Sequence, residues 1–320
     1  MTYFTAKQIY ERLHPDLKEE FLKLPSLSLD GNDLQKMRTE IDELIKTTGL
    51  PHDSKVKVYD QFIQNSDGTK LRLRIYDPIV RTRNAPGILW IHGGGFIMGT
   101  PEESEERYLR FALELAAVVI AVDYRLAPEH PYPAAIQDCY SALNWLFENA
   151  PTLGVNRDKF AVVGASAGAG LAASLSIMTR DKKGPKIAFQ MLLYPMLDDR
   201  GITESSNMTL DDRLWTKKLD KIAWNHYIGH VKEEDRNSYM APAREKNLSA
   251  LPPTYSFIGE LDIFLDDTII FVQRLLQAGV PTEFHIYPGC IHAFESFIPN
   301  APISVKATID MLGALRKALS

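Results

Sequence analysis

Cysteine is scarce in this chain: it occurs twice in 320 residues, at Cys139 and Cys290, and no Cys-x-x-Cys is present. Two thiols in a chain of this length make no disulfide framework, so both read as reduced, buried side chains. No stretch approaches the ~20 apolar residues of a membrane span. The opening Met1 to Leu24 interleaves Lys7, Glu11, Arg12, Asp16, Lys18, Glu19 and Glu20 with its apolar residues. A signal peptide needs an unbroken apolar stretch, so a cytoplasmic location is the expectation. Basic charge is nowhere concentrated: 36 Lys and Arg stand against 41 Asp and Glu, a formal net charge of -5. That balance gives no electrostatic reason to bind nucleic acid. There is no His-x-x-x-His or similar ligand cluster and no dinucleotide fingerprint, so neither a metal nor any other cofactor is expected.

What is present is apolar mass in two periodicities. Hydrophobic residues make up 45% and charged residues 24%, which argues against disorder and suits one large α/β domain over residues 1–320. The first fifty residues carry a helical period, with Ile9, Leu13 and Leu17 at four-residue spacing, then Leu34, Met37, Ile41, Leu44 and Ile45. Gly49 and Pro51 stop the second run. Period two follows: two antiparallel strands fit near 55–63 and 69–77, with a turn at Asn65 to Gly68. From Gly87 the strands become continuous apolar runs: Ile88 to Ile91, Val118 to Val122, Phe160 to Val163, Phe189 to Leu193 and Tyr255 to Ile258. Helical segments near 103–116, 134–148, 168–180 and 266–278 separate them. A last strand, Glu283 to Tyr287, precedes a helix near 302–318. Buried strands alternating with helices imply a mostly parallel sheet covered on both faces. Between Pro195 and Leu251 this rhythm breaks. The stretch holds Trp215, Trp224, Tyr227 and Tyr239 but no clear strand, and it is too long for a βα connection. It reads as a helical insertion at about 196–250 that packs with residues 1–50 as a cap.

Two glycine-rich motifs carry chemistry. Gly164-Ala165-Ser166-Ala167-Gly168 follows one apolar strand and opens a helical run. That strand–turn–helix setting is the one a G-x-S-x-G nucleophile elbow requires, because a turn so tight tolerates only small neighbours. Taken alone, it also reads as a structural turn. His92-Gly93-Gly94-Gly95-Phe96 ends a second strand. Acyl transfer develops negative charge on a carbonyl oxygen, and backbone N–H groups in a glycine loop can approach and stabilise it. The residue after the nucleophile, Ala167, would supply a further donor.

A serine hydroxyl needs a base to take its proton. In this architecture the acid and then the histidine follow the serine in the chain. Of the later histidines, His226 and His230 lie in the insertion and His285 alternates within the last strand. His292 sits in the loop Pro288-Gly289-Cys290-Ile291-His292-Ala293-Phe294, where a base can reach the elbow. Asp262, just after Tyr255 to Ile258, is the leading acid, with Glu260 its one serious competitor. Asp266 and Asp267 fit the first turn of the next helix. The acid would fix the histidine tautomer and stabilise the imidazolium.

At these residues the sequence resembles the hormone-sensitive-lipase-like group of α/β-hydrolases. The resemblance rests on His92 to Gly95, the serine elbow, the Asp262 and His292 segments, and the block Asp123-Tyr124-Arg125-Leu126-Ala127-Pro128-Glu129-His130-Pro131-Tyr132-Pro133. It extends from about residue 85 to 295. It implies the α/β-hydrolase fold with a helical cap, a small-molecule ester as substrate, and Gly94, Gly95 and Ala167 as oxyanion donors. Members typically hydrolyse short acyl esters and many dimerise, which makes a homodimer an open expectation. From the residues themselves, Asp123, Arg125 and Glu129 are expected to tie their proline-rich loop down. The family pattern is not complete. Ala165 stands where an acidic residue is usual, Gly168-Ala169-Gly170 replaces the usual Gly-Gly-Asn, and Asp262-Ile263-Phe264-Leu265-Asp266 replaces Asp-Pro-Leu-Arg-Asp. No catalytic group is lost by these changes. Some plant relatives are hormone receptors that lack the histidine; here His292 is present, which points away from a pure binding role. Amide cleavage through the same groups stays open.

Overall fold

Eight strands form a single sheet in the order β1-β2-β4-β3-β5-β6-β7-β8, in a computed structural model that describes residues 6–27, 33–65, 67–208 and 211–320. Parts of the expected 1–50 and 196–250 segments, and residue 66 of the expected turn, lie outside the described residues, as does the side chain of Leu44. The strands are β1 (Val56–Gln64), β2 (Lys70–Pro78), β3 (Ala85–Ile91), β4 (Val118–Asp123), β5 (Val155–Ala165), β6 (Phe189–Leu193), β7 (Thr254–Leu261) and β8 (Thr282–Ile291). β1 pairs antiparallel with β2, and β2 with β4; every later pairing is parallel.

The two strand types follow from side-chain pattern. β2 alternates buried Leu71, Leu73 and Ile75 with Arg72 and Arg74, as a strand with one wet face must. Ile88 to Ile91, Val118 to Val122 and Phe160 to Val163 are buried throughout, because helices cover both faces. The covering helices are Glu105–Leu115, Ala134–Leu153, Ala167–Asp181, Leu265–Gln277 and Pro302–Leu319. Their ends agree with the expected segments to within a few residues, except that Ala134–Leu153 runs five residues further. It stops at Gly154, which takes the left-handed conformation at φ +63°.

Two expectations need correction. Ile9, Leu13 and Leu17 are all buried, but not on one helix. The helix Ala6–Arg12 ends before Pro15, and His14 is extended at ψ 133°, because the residue before a proline avoids the helical region. The stretch 196–250 is not mainly helical. Among its described residues it holds one α-helix, Lys217–Ile228, and short 3₁₀ turns at Ser205–Asn207, Glu233–Asp235 and Pro242–Arg244. Ion pairs rather than helix packing organise the rest: the covered carboxylate of Asp199 accepts from Arg236 Nη1 at 2.9 Å and from Arg244 Nε at 2.6 Å. This stretch meets the N-terminal segment where Leu27 N–H donates to Asp212 O at 2.8 Å and the Arg213 guanidinium lies 4.7 Å from the Phe21 ring centre.

Candidate active site

The C-terminal ends of β3, β5, β7 and β8 bring the motif residues to one edge of the sheet. β5 delivers Ser166 at φ +55° and ψ −120°, a conformation that L-residues rarely adopt. Neighbouring bonds hold it there. Ser166 N–H donates to Leu193 O at 2.9 Å, and Ser166 O accepts from Gly170 N–H and Met196 N–H, both at 3.1 Å. The elbow must be built from glycine where it is. A Cβ at Gly164 would lie 2.2 Å from Gly168 O, and one at Gly168 would lie 2.1 Å from Ile91 O.

His292 follows β8 and Asp262 follows β7, and the three side chains form one line. Ser166 Oγ lies 3.0 Å from His292 Nε2, and His292 Nδ1 lies 2.7 Å from Asp262 Oδ2. The other oxygen, Asp262 Oδ1, accepts from Phe264 N–H at 3.0 Å, so both carboxylate oxygens are engaged in a fully buried position. Such a pairing fixes Nδ1 as the protonated nitrogen and leaves Nε2 to accept from the serine. Glu260, the competing acid, points elsewhere. It pairs with Arg12 and accepts from Gly289 N–H at 2.8 Å, fastening the N-terminal helix to the end of β8 just before His292. Asp266 is used structurally, exchanging bonds with Ser205 N–H and Ser205 Oγ. His285 pairs with Glu283 at 2.9 Å on the last strand.

The glycine loop packs directly on the elbow: a Cβ at Gly93 would lie 3.3 Å from Ser166 Cβ. Gly94 and Gly95 have φ of +98° and +61°, which favours residues without a Cβ. Among the described residues no carbonyl accepts from either N–H. Ala167, as the first residue of its helix, likewise has no intrahelical partner for its N–H. His92 is buried and stacks on Tyr124 with ring centres 4.1 Å apart. Burial pulls its pKa down to about 4, so it is a neutral brace for the loop.

The block 123–133 is tied down as its residue types suggested. Asp123 accepts from Arg72 Nε at 2.8 Å, Arg125 pairs with buried Asp138 at 2.8 Å, and Glu129 accepts from Arg38 Nη1 at 2.8 Å. Arg38, on the helix Asp33–Thr48, also donates to Ile97 O and Ala127 O, both at 2.7 Å. It thereby joins an N-terminal helix to the glycine loop. Three of the insertion's aromatics lie on that same loop. The Trp215 ring covers Gly95, where a Cβ would come within 2.4 Å; Tyr227 stacks on Phe96 at 4.2 Å and Trp224 meets it at 5.2 Å. Tyr239 is elsewhere and donates to Asp181.

Of the acids beside the site, sequence reasoning passed over Asp220 and set Asp267 aside as a first-turn helix acid. A cleft of about 420 Å³ is lined by Arg200, Ser206, Lys217, Asp220 and Trp224 among others. Burial, then the charges of Asp267, Asp262 and Asp198, pushes Asp220 up to about 8. Burial and then Asp198 push Asp267 up to about 7. Nothing in their spacing distinguishes them from ordinary helix-surface acids.

The fold and the site together define an α/β-hydrolase. A family model described as "alpha/beta hydrolase fold" matches residues 88–296. The chain is 34% identical to the esterase LipI of Mycobacterium tuberculosis over 92% of this chain and 91% of that protein. It is 35% identical to the carboxylesterase NlhH of the same species over 78% and 79% of the two chains. Among solved structures, the bacterial heroin esterase superposes with a TM-score of 0.91 at 36% identity, covering 97% of this chain and 99% of that one. The esterase LipW from Mycobacterium marinum gives a TM-score of 0.84 at 32% identity, covering 97% and 96%. The chain belongs to the hormone-sensitive-lipase-like family of α/β-hydrolases. No helix among the described residues is long and apolar enough to cross a membrane.

Proposed function

We propose that this carboxylic ester hydrolase is a serine esterase for short- to medium-chain acyl esters, with Ser166 as nucleophile, His292 as general base and Asp262 orienting the histidine. The observation that carries this reading is the continuous line Ser166–His292–Asp262, at 3.0 and 2.7 Å, beside backbone N–H groups from which no carbonyl of the described residues accepts. Ser166 Oγ attacks the ester carbonyl carbon while its proton passes to His292 Nε2. The carbonyl oxygen becomes an oxyanion, which the N–H groups of Gly94, Gly95 and Ala167 stabilise; one such donor is worth about 3–4 kcal/mol. The tetrahedral intermediate collapses, the C–O bond to the alcohol breaks, and His292 returns the proton to the departing oxygen. Water then repeats the sequence on the acyl-enzyme and releases the acid and free Ser166. The described parts of residues 1–50 and 196–250 act as a cap over this domain. Trp215, lying on Gly95, forms a wall of the acyl site and favours an uncharged, compact acyl group.

The test is hydrolysis of a chromogenic ester series from about C2 to C12 in acyl length, by wild type and Ser166→Ala. The reading expects turnover concentrated on the shorter esters and a folded, inactive alanine variant. Equal activity in the two proteins, or an inert wild type, overturns it.

A further inference from the structure

We infer that Tyr194, held by Glu295 and Arg107, is a positioning residue for the His292 imidazole. This rests on the serine-esterase reading, since it assigns Tyr194 to the base of that mechanism.

β6 ends at Leu193, and Tyr194 then turns at φ +37°, anchored by its N–H on Phe257 O at 2.8 Å. A tyrosine rarely takes positive φ. The turn sends its ring to the histidine, with ring centres 4.9 Å apart and planes at 72°. Phe264 meets the same imidazole at 5.4 Å and 74°. Two aromatic rings thus bound a histidine whose two nitrogens are already committed to Ser166 and Asp262.

The phenol end of Tyr194 is what distinguishes it from Phe264. Its hydroxyl donates to Glu295 Oε1 at 2.9 Å, and the same oxygen accepts from Arg107 Nη2 at 2.9 Å. Glu295 follows His292 by three positions, its side chain is 0% exposed, and Arg107 comes from the helix Glu105–Leu115 on another part of the sheet. The Arg107 guanidinium lies 5.5 Å from the Trp90 ring centre. Burial and the Glu295 charge push the phenol well above its ordinary value, so it remains a donor. A buried ion pair is weak evidence for stability, because desolvation offsets its attraction. What this one provides is a fixed acceptor: it pins the tyrosine hydroxyl, the pinned ring limits tilting of the imidazole, and Nε2 stays on the Ser166 line. Displacement of a catalytic group by about 1 Å can cost about a hundredfold in rate.

The experiment compares wild type, Tyr194→Phe, Glu295→Gln, Glu295→Ala and a control, Tyr287→Phe. The control loses a similar phenol–carboxylate bond, Tyr287 to Asp310 Oδ2 at 2.7 Å, on a ring that meets Phe257 and Phe294. For each protein kcat, KM and melting temperature are measured on one short ester, with the rate at which a phosphonate ester modifies Ser166. Tyr194→Phe is expected to lower kcat and the phosphonylation rate together by about tenfold, with KM within about twofold of wild type. Glu295→Gln keeps an acceptor and should lose less than Glu295→Ala. Tyr287→Phe should keep wild-type kcat. A Tyr194→Phe variant with wild-type kcat overturns this inference alone, as does a loss matched by Tyr287→Phe at equal melting temperature. An inert wild type overturns the esterase reading and this inference with it.

Discussion

Ser166 is held in a backbone conformation that costs about 1–3 kcal/mol, and the bonds from its N–H and to its carbonyl show what maintains it. The strain exposes Oγ to His292. Under the proposed mechanism, Ser166→Ala should lower kcat by about 10⁶-fold, and Asp262→Asn by about 10⁴-fold because the wrong imidazole tautomer is then favoured. Pre-steady-state ester hydrolysis separates these losses from altered binding. Asp267 carries a different consequence. Its folded-state value of about 7 lies above that of an exposed aspartate, so the native state binds the extra proton. Its favourable contribution is fully present below the unfolded value of ~3.9 and is lost as pH rises through about 7. Chemical denaturation of wild type should therefore show declining stability between about pH 4 and 7 relative to Asp267→Asn. A constant difference between the two across that window would contradict this.

At the scale of elements, the strands deliver groups and the connections between them do the fastening. Asp199 joins the end of the β6 loop to Arg236 and Arg244. Replacing it by alanine leaves two half-buried guanidinium groups without their acceptor, and the loss should be about 1–3 kcal/mol, read by urea denaturation. Arg38 fastens the helix Asp33–Thr48 to the carbonyls of Ile97 and Ala127. Arg38→Met should loosen that helix, seen as faster amide exchange across 33–48, while Ser166, His292 and Asp262 stay in register. Unchanged exchange in that helix would show that other contacts hold it. These fastenings were the least legible part of the chain. Apolar periodicity marks strands and covering helices because each buries a face. The segment 196–250 has no such period, since buried carboxylates and arginines far apart in sequence organise it.

For the whole molecule, the sheet order and the site are two views of one arrangement. Parallel strands all end at one edge, so motifs that follow strands meet there even when separated by more than a hundred residues. That is why the meeting of Ser166, Asp262 and His292 at one edge was legible from their places after apolar runs, and why Glu260, only two residues from Asp262, was not separable without coordinates. Glu260 points to Arg12 and Gly289. Tyr194, Glu295 and Arg107 were not readable at all, since their association depends on three different elements. If Ser166 Oγ is the atom that becomes acylated, a covalent inhibitor should capture it. Wild type treated with a fluorophosphonate should lose esterase activity in step with one adduct per chain, located by peptide mass spectrometry at Ser166, and His292→Ala should label far more slowly. An adduct at another residue, or undiminished ester turnover with Ser166 fully modified, would rule out Ser166 as the nucleophile.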